Sequence, residues 1–407
     1  MTSIEPIDPV VLLEDHVHDV GAFRMDDVVV RLDEDHRPAG GVPSGIALPD
    51  ARVLARDDGP LGRLEMIESP VLRALPGASL ALREPVPPRP VLYLNGQTIG
   101  PRAVARDSAL WSMTTSAAAF ALPDSGPEVL LVGAGGGGLV WLARSAGARS
   151  ISVVDPDARV APLLDPAALD GVRRYTRSPR GWLHGSGERF DRVIVGEPGS
   201  LAGSAAGMAA AGADYLFTVE GFRDLWDALD EDGVLAITRW VLNPPRDMPR
   251  LLATARTVLD DEGLDAGRHV ALVRGWGTAT LLVSRRPLDP RDVAALRSWC
   301  DARWFDLTWA PGVPAGLANR YNVLDPDWFR QSAEGLLGAE PERFAQSYAF
   351  DIAPVTDAAP FFHHFLRIGD LARLWRAEGR LSLPYLEWGV VAQWLVLLQA
   401  IPIAAVL

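Results

Sequence analysis

The feature that most constrains this chain is an apolar run that ends in glycines. Residues 128–138 read EVLLVGAGGGG, the next stretch LVWLARSAGA is amphipathic, and ISVVDPD at 151–157 is a second apolar run ending in Asp155. This is the pattern of a strand, a tight turn, a helix and a parallel strand. Gly133, Gly135 and Gly138 fit G-x-G-x-x-G, with Gly136 inside the cluster, and Asp155 follows Gly133 by 22 residues. In such a turn the first glycine permits the sharp reversal, the second lets a ligand approach the backbone, and the third lets helix and strand pack closely. A carboxylate at the tip of the second strand can accept hydrogen bonds from both ribose hydroxyls. A dinucleotide, with its pyrophosphate on the helix N-terminus, and an S-adenosyl compound, with its tail over the same glycines, share this geometry.

The elements that follow separate the two. FDRVIVGEPGS at 190–200 predicts a strand with a polar end at Glu197, and VEGFRDLWDALDEDG at 219–233 predicts a helix stopped at Asp232-Gly233. VLAITRW at 234–240 predicts a strand, MPRLLATARTVLDDEG a helix, and 269–285 a hairpin turning at Gly275-Trp276-Gly277 that forms an antiparallel edge. This alternation predicts an open, mostly parallel α/β sheet. A strand ending in a carboxylate, a helix, a strand and a closing hairpin match the class I methyltransferase arrangement better than a dehydrogenase. An NAD-dependent oxidoreductase ranks lowest, because no catalytic His, Tyr-Lys or Cys constellation accompanies the loop.

Composition excludes other chemistry. All 39 basic residues are Arg, which removes a lysine Schiff base and a P-loop lysine. Cys300 is alone, so neither an intrachain disulfide nor a cysteine metal cage can form. The net charge of −13 argues against nucleic acid as a partner. Residues 1–60 carry −8 of it, with 13 acidic and 5 basic side chains. His16 and His18 lie among Glu14, Asp15 and Asp19, and the segment reads as a solvated acidic arm in preference to a metal site. At the other end, Gly389 to Leu407 is a run of 19 uncharged residues, long enough to cross a bilayer, with Trp388 and Trp394 near its start. If the run spans, Arg367, Arg373, Arg376 and Arg380 upstream put residues 1–385 on the cytoplasmic side of a cell membrane by the positive-inside rule. A buried core helix is the alternative for the run.

Five segments are expected: an acidic arm at 1–41, a β-rich lead-in domain at 42–122, a Rossmann-like S-adenosyl-binding domain at 123–290, an α-rich extension at 291–385, and a transmembrane helix at 386–407. Asp214 and Tyr215 follow a Gly/Ala/Ser stretch, 196–213, whose composition suits a lid over a pocket or a plain loop. His363 and His364, in PVTDAAPFFHHF with Asp357, read as part of a packed aromatic segment in preference to a metal site.

The sequence resembles the spermidine synthase-like (polyamine aminopropyltransferase-like) proteins, and among them the bacterial ones fused to membrane spans. The resemblance runs from about residue 42 to the C-terminus. It is carried by GPLGRLEMIESP, VLLVGAGGGG, AGMAAAGADYLFTVEGF, LAITRW, VRGWGTATLLVS, NRYNVL and FDIAPVTDAAPFFHHF. It implies a β domain before a Rossmann-like methyltransferase fold, S-adenosylmethionine or its decarboxylated form as substrate, no metal, a small amine acceptor and a homodimer. The candidate site taken together consists of Gly133, Gly135, Gly136, Gly138 and Asp155 for the nucleotide, Glu197 as catalytic base, and Trp111, Asp214, Tyr215 and Asp357 toward the substrate. The chain also departs from the pattern. Leu94-Asn95-Gly96 replaces L-D-G, Asp107 is followed by no Tyr or Glu before Met113, Arg177-Ser178 stands for G-D, and Glu197-Pro198-Gly199-Ser200 replaces D-S-S-D-P. Glu197 alone is left as a base. Two functions therefore stand: aminopropyl or methyl transfer to an amine, and a catalytically weak member that binds ligand or acts as a scaffold.

Overall fold

The computed structural model describes residues 48–124, 126–196, 198, 210, 212–367, 387 and 394–400. The acidic arm with His16 and His18, Glu197 and most of the 196–213 stretch lie outside these residues.

Two sheets organise the chain. The smaller is an antiparallel meander of β1 (Arg52–Gly59), β2 (Gly62–Glu68), β3 (Val91–Leu94) and β4 (Gln97–Pro101), in sequential order. The larger has eight strands: β5 (Glu128–Val132), β6 (Ser150–Asp155), β7 (Arg173–Thr176), β8 (Phe190–Val195), β9 (Leu229–Trp240), β10 (Val270–Arg274), β11 (Thr278–Ser284) and β12 (Asp306–Trp309). Their spatial order is β12-β10-β11-β9-β8-β5-β6-β7. The pairs β5·β6, β5·β8, β6·β7 and β8·β9 are parallel, while β11 runs antiparallel to both β9 and β10. Counted from β5, the strands stand third, second, first, fourth, fifth, seventh, sixth, with the seventh reversed. That is the class I methyltransferase order, here with β12 added at the edge.

The central strands are apolar on both faces because helices cover both. Helix α1 (Gly138–Ser145) and α5 (Pro290–Asp301) pack with segment 102–122 on one face. On the other lie α2 (Pro179–Ser186), α3 (Val219–Asp227), α4 (Asp247–Asp261), α6 (Trp328–Leu337) and the 350–366 segment. In α3 the buried residues are Gly221, Phe222, Leu225 and Trp226, one stripe of a 3.6-residue repeat. Thr218 caps this helix, its Oγ1 accepting from the Gly221 amide at 3.0 Å. Helix α5 opens with a capping box, Asp289 and Asp292, and proline at its first turn.

Three sequence expectations change. The predicted helix over 219–233 ends at Asp227, and β9 already starts at Leu229. Leu229 pairs with Phe190 and Val234 with Arg192, so Asp230–Gly233 bulge outward between them, where their charges meet water. The hairpin β10–β11 forms, but β11 enters between β9 and β10 and so is interior; the edge belongs to β12. The α-rich extension therefore contributes a strand to the sheet. The NRYNVL motif fastens it: Asp306 accepts from the Arg320, Tyr321 and Asn322 amides at 2.6, 2.9 and 2.8 Å, while Arg274 reaches Asp306 at 3.4 Å and the Asn322 carbonyl at 2.5 Å.

The predicted membrane helix, 386–407, lies largely outside the described residues. Within them, no helix is long and apolar enough to cross a membrane. Residues 394–400 are helical and exposed along their whole length.

Candidate nucleotide-binding site

Parallel strand order reverses between β5 and β8, which opens a crevice at the strands' carboxyl ends. The glycine turn stands on that edge. Gly133, Gly135 and Gly137 have φ of 92°, 50° and 86°, values that disfavour a Cβ. The Gly133 amide bonds the Val154 carbonyl at 2.9 Å, and the Ala134 amide bonds Asp155 Oδ2 at 2.9 Å. Asp155 Oδ1 accepts from the Asp157 amide at 2.9 Å. Asp155 thus ties the turn to the second strand while its carboxylate remains half-buried. Burial raises its pKa, and the two amide donors pull in the opposite direction.

The glycines do different work from that expected. Gly133 has open space where a side chain would begin. A methyl at Gly136 would fall on the Pro101 carbonyl, and the Ala103 amide bonds the Gly136 carbonyl at 2.9 Å. At Gly138 a methyl would fall inside the Trp111 indole. The third motif glycine therefore admits a tryptophan from the segment before the sheet as well as allowing the helix to start. Trp111 is 3% exposed, and its Nε1 has no hydrogen-bond acceptor.

Asp157 and Arg159 were not singled out from the sequence. Arg159 grips Asp157 through two bonds of 2.8 and 2.7 Å, and the same guanidinium donates to the Asp57 and Gly62 carbonyls at 3.0 Å each. The tip of the β1–β2 hairpin is thereby fastened beside the end of β6. The D-P-D-A-R spacing is the sequence trace of this clamp.

Glu197 lies outside the described residues, but both neighbours are placed. The Gly196 carbonyl accepts from Ser116 Oγ at 3.3 Å, and the Pro198 carbonyl from Arg239 Nη1 at 3.3 Å. Asp214 and Asp357 sit on two segments stitched together, the Asp214 amide bonding the Pro360 carbonyl at 2.7 Å and Val219 bonding Val355 at 2.9 Å. Asp357 is engaged on both oxygens, by Thr218 Oγ1 at 2.6 Å and Arg180 at 3.1 Å, so in this arrangement it braces α3. Asp214 Oδ1 caps the Leu216 amide at 3.1 Å, and Tyr215 is 48% exposed. Trp111 contacts the glycine turn; among the described residues no hydrogen bond or ring contact joins it to Asp214, Tyr215 or Asp357.

The aromatic segment packs as expected. Phe362 and Phe365 are buried and His363 lies edge-on to both. His364 Nδ1 meets Glu387 Oε2 at 2.5 Å, and Glu387 Oε1 accepts from the Phe365 and Leu366 amides.

Among solved structures the chain is similar to spermidine synthases. One from Thermotoga maritima is 15% identical with a TM-score of 0.41, the match covering 72% of this chain and 87% of that one. A spermidine synthase in complex with the transition-state analogue AdoDATO is 15% identical, with a TM-score of 0.40 and coverage of 72% and 86%. A probable spermidine synthase from Corynebacterium glutamicum ATCC 13032 is 18% identical, with a TM-score of 0.42 and coverage of 70% and 95%. No family model and no curated protein matches the chain. The fold assignment rests on the strand order and directions of the large sheet.

Proposed function

We propose that this chain is a spermidine synthase-like transferase that binds S-adenosylmethionine or its decarboxylated form against Gly133 and Asp155, and transfers an aminopropyl or methyl group to a small amine. The observation that carries the reading is the half-buried Asp155 carboxylate bonded to the Ala134 amide beside the open face of Gly133. It supports a ribose held by the acid and an S-adenosyl tail lying along the turn. The bound sulfonium supplies an electrophilic carbon: the acceptor nitrogen's lone pair forms the new C–N bond, the C–S electrons stay on sulfur as a neutral thioether, and nitrogen sheds a proton. Glu197, which follows the last residue of β8 by two positions in the sequence, is the group proposed to take that proton.

Calorimetry of the whole chain with S-adenosylmethionine, decarboxylated S-adenosylmethionine, methylthioadenosine and NAD tests this reading. Binding of an adenosyl sulfonium or thioether is expected. Its absence, or preferred binding of NAD, overturns the proposal.

A second reading is ligand binding without turnover. It is favoured by the Trp111 indole over Gly138 and the Pro101 carbonyl over Gly136, which place protein where two of the glycines face outward. Methylthioadenosine or S-adenosylhomocysteine release in the presence of an amine separates the two.

The tether to a cell membrane, with the catalytic domain on its cytoplasmic side, also belongs to this proposal. Its support is the exposure of Trp394 to Leu398, 52–65% on every side chain of an apolar helical stretch. Co-flotation with phosphatidylglycerol vesicles, lost in a chain ending at residue 385, is the expected result.

A further inference from the structure

Near Pro198, around the carboxyl end of β9, two buried charges lie in each other's field without a hydrogen bond or ion pair between them. Arg239, near the end of β9, is 5% exposed. Its guanidinium lies 4.0 Å from the Phe217 ring centroid and 5.6 Å from that of Phe362, gives one long bond to Pro198, and leaves Nε without an acceptor. Among the described residues it enters no ion pair. Asp247, the first residue of α4, is 1% exposed, and neither of its oxygens has a hydrogen-bond partner. Among the described residues the basic group within 4 Å is His363, whose Nδ1 lies 3.9 Å from Oδ2 and has no hydrogen-bond partner there. Burial lowers the His363 pKa while the Asp247 charge opposes that shift, and the 3.9 Å separation is too long for a hydrogen bond to the carboxylate. Arg250, by contrast, is committed to the Phe362 and Asp351 carbonyls at 2.5 and 2.6 Å.

A desolvated cation and a desolvated carboxylate without partners are costly until a complementary group arrives. A diamine satisfies Asp247 alone and brings a second positive charge toward Arg239. A molecule with a carboxylate beside its amine satisfies both. We propose that the acceptor is of this class, an amino-acid-like zwitterion whose carboxylate pairs with Arg239 and whose ammonium pairs with Asp247. This assignment rests on the transferase reading above.

L-ornithine and putrescine test it, because ornithine is putrescine carrying one carboxylate. With donor binding measured first, the whole chain is expected to release thioether product with ornithine at least about tenfold more efficiently than with putrescine, the worth of one charge-assisted contact. Arg239→Met erases that preference with donor binding retained, and Arg239→Lys, which keeps the charge, preserves it. Donor binding accompanied by equal or better use of putrescine overturns this proposal and leaves the donor site standing. If the donor does not bind, or no product forms, saturation-transfer NMR with each amine decides the acceptor site alone. A signal from ornithine that is lost in Arg239→Met and Asp247→Asn supports it; no signal, or one shared by putrescine, overturns it.

Discussion

The carboxylate of Asp155, the last residue of β6, and the amide of Ala134, two residues past the end of β5, meet at 2.9 Å, so the acid proposed to hold the ribose also fixes the turn proposed to receive the rest of the ligand. Replacing Asp155 by Ala removes acceptors for two backbone amides, at a cost of about 1–3 kcal/mol for each donor left unpaired. Donor binding is expected to disappear, while Asp155→Asn, which keeps one of the two acceptors, should lose less stability than Asp155→Ala and bind donor weakly. Calorimetry and a denaturant midpoint on the same samples distinguish loss of ligand from loss of fold.

Burial raises the Asp155 pKa, which gives binding and folding opposite dependence on pH. The ionised form accepts the ribose hydroxyls, so donor affinity should fall on acidification at a pH above the ordinary carboxylate range. For folding, the contribution of a raised carboxyl is present below its unfolded value and lost as pH rises through the folded one. Asp155→Asn should flatten both curves; a donor affinity unchanged down to pH 4 would count against the role.

Gly138→Ala should destabilise the chain by about 1–3 kcal/mol, because the added methyl overlaps the Trp111 ring. Pairing it with Trp111→Leu should recover part of the loss. A double-mutant cycle in urea reads the coupling directly, and additive effects would deny the contact.

His363 and His364, adjacent in sequence, should titrate in opposite senses. The Glu387 carboxylate raises the His364 pKa, so its stabilising contribution is full below the ordinary imidazole value and disappears as pH rises through the folded one. Burial depresses His363, whose contribution is present above the ordinary value and lost as pH falls through the folded one. Ring-proton NMR titrations resolve the two, and Glu387→Gln should return only His364 toward its ordinary value.

The lone thiol offers a simple check on the core. Cys300 is 1% exposed and burial pushes its pKa far up. It should resist iodoacetamide in the native chain and react on unfolding; fast labelling of the native protein would contradict the packing of α5.

The glycine turn, Asp155 and the strands β5, β6, β8 and β10–β11 were legible because each is an apolar run closed by turn residues or a terminal acid. Strand β1 was not: RVLARDDG is exposed along most of its length and carries charges, so it has no alternation to read. The early start of β9 was hidden because Asp230, Glu231 and Asp232 look like the end of a helix. The insertion of β11 is a long-range pairing that no local pattern encodes. Asp155 and Glu197 stand out as acids at the ends of apolar runs, whereas nothing local in the sequence marks Arg239, inside the predicted strand 234–240, or Asp247 as buried without partners. Their surroundings come from residues 198, 217 and 363, brought together only by the fold.

The reversed strand β11 fixes how the large sheet must be assembled. It occupies the slot between β9 and β10, yet it is made after both. If β10 paired with β9 first, the two would form a parallel contact that excludes β11, and the chain would have to undo it. A route that closes the β10–β11 hairpin, a local event, before either strand touches β9 and docks it as a unit along the Trp240–Thr278 register avoids that detour. On that route the short turn Gly275–Gly277 sets which edge of the half-built sheet is presented for growth.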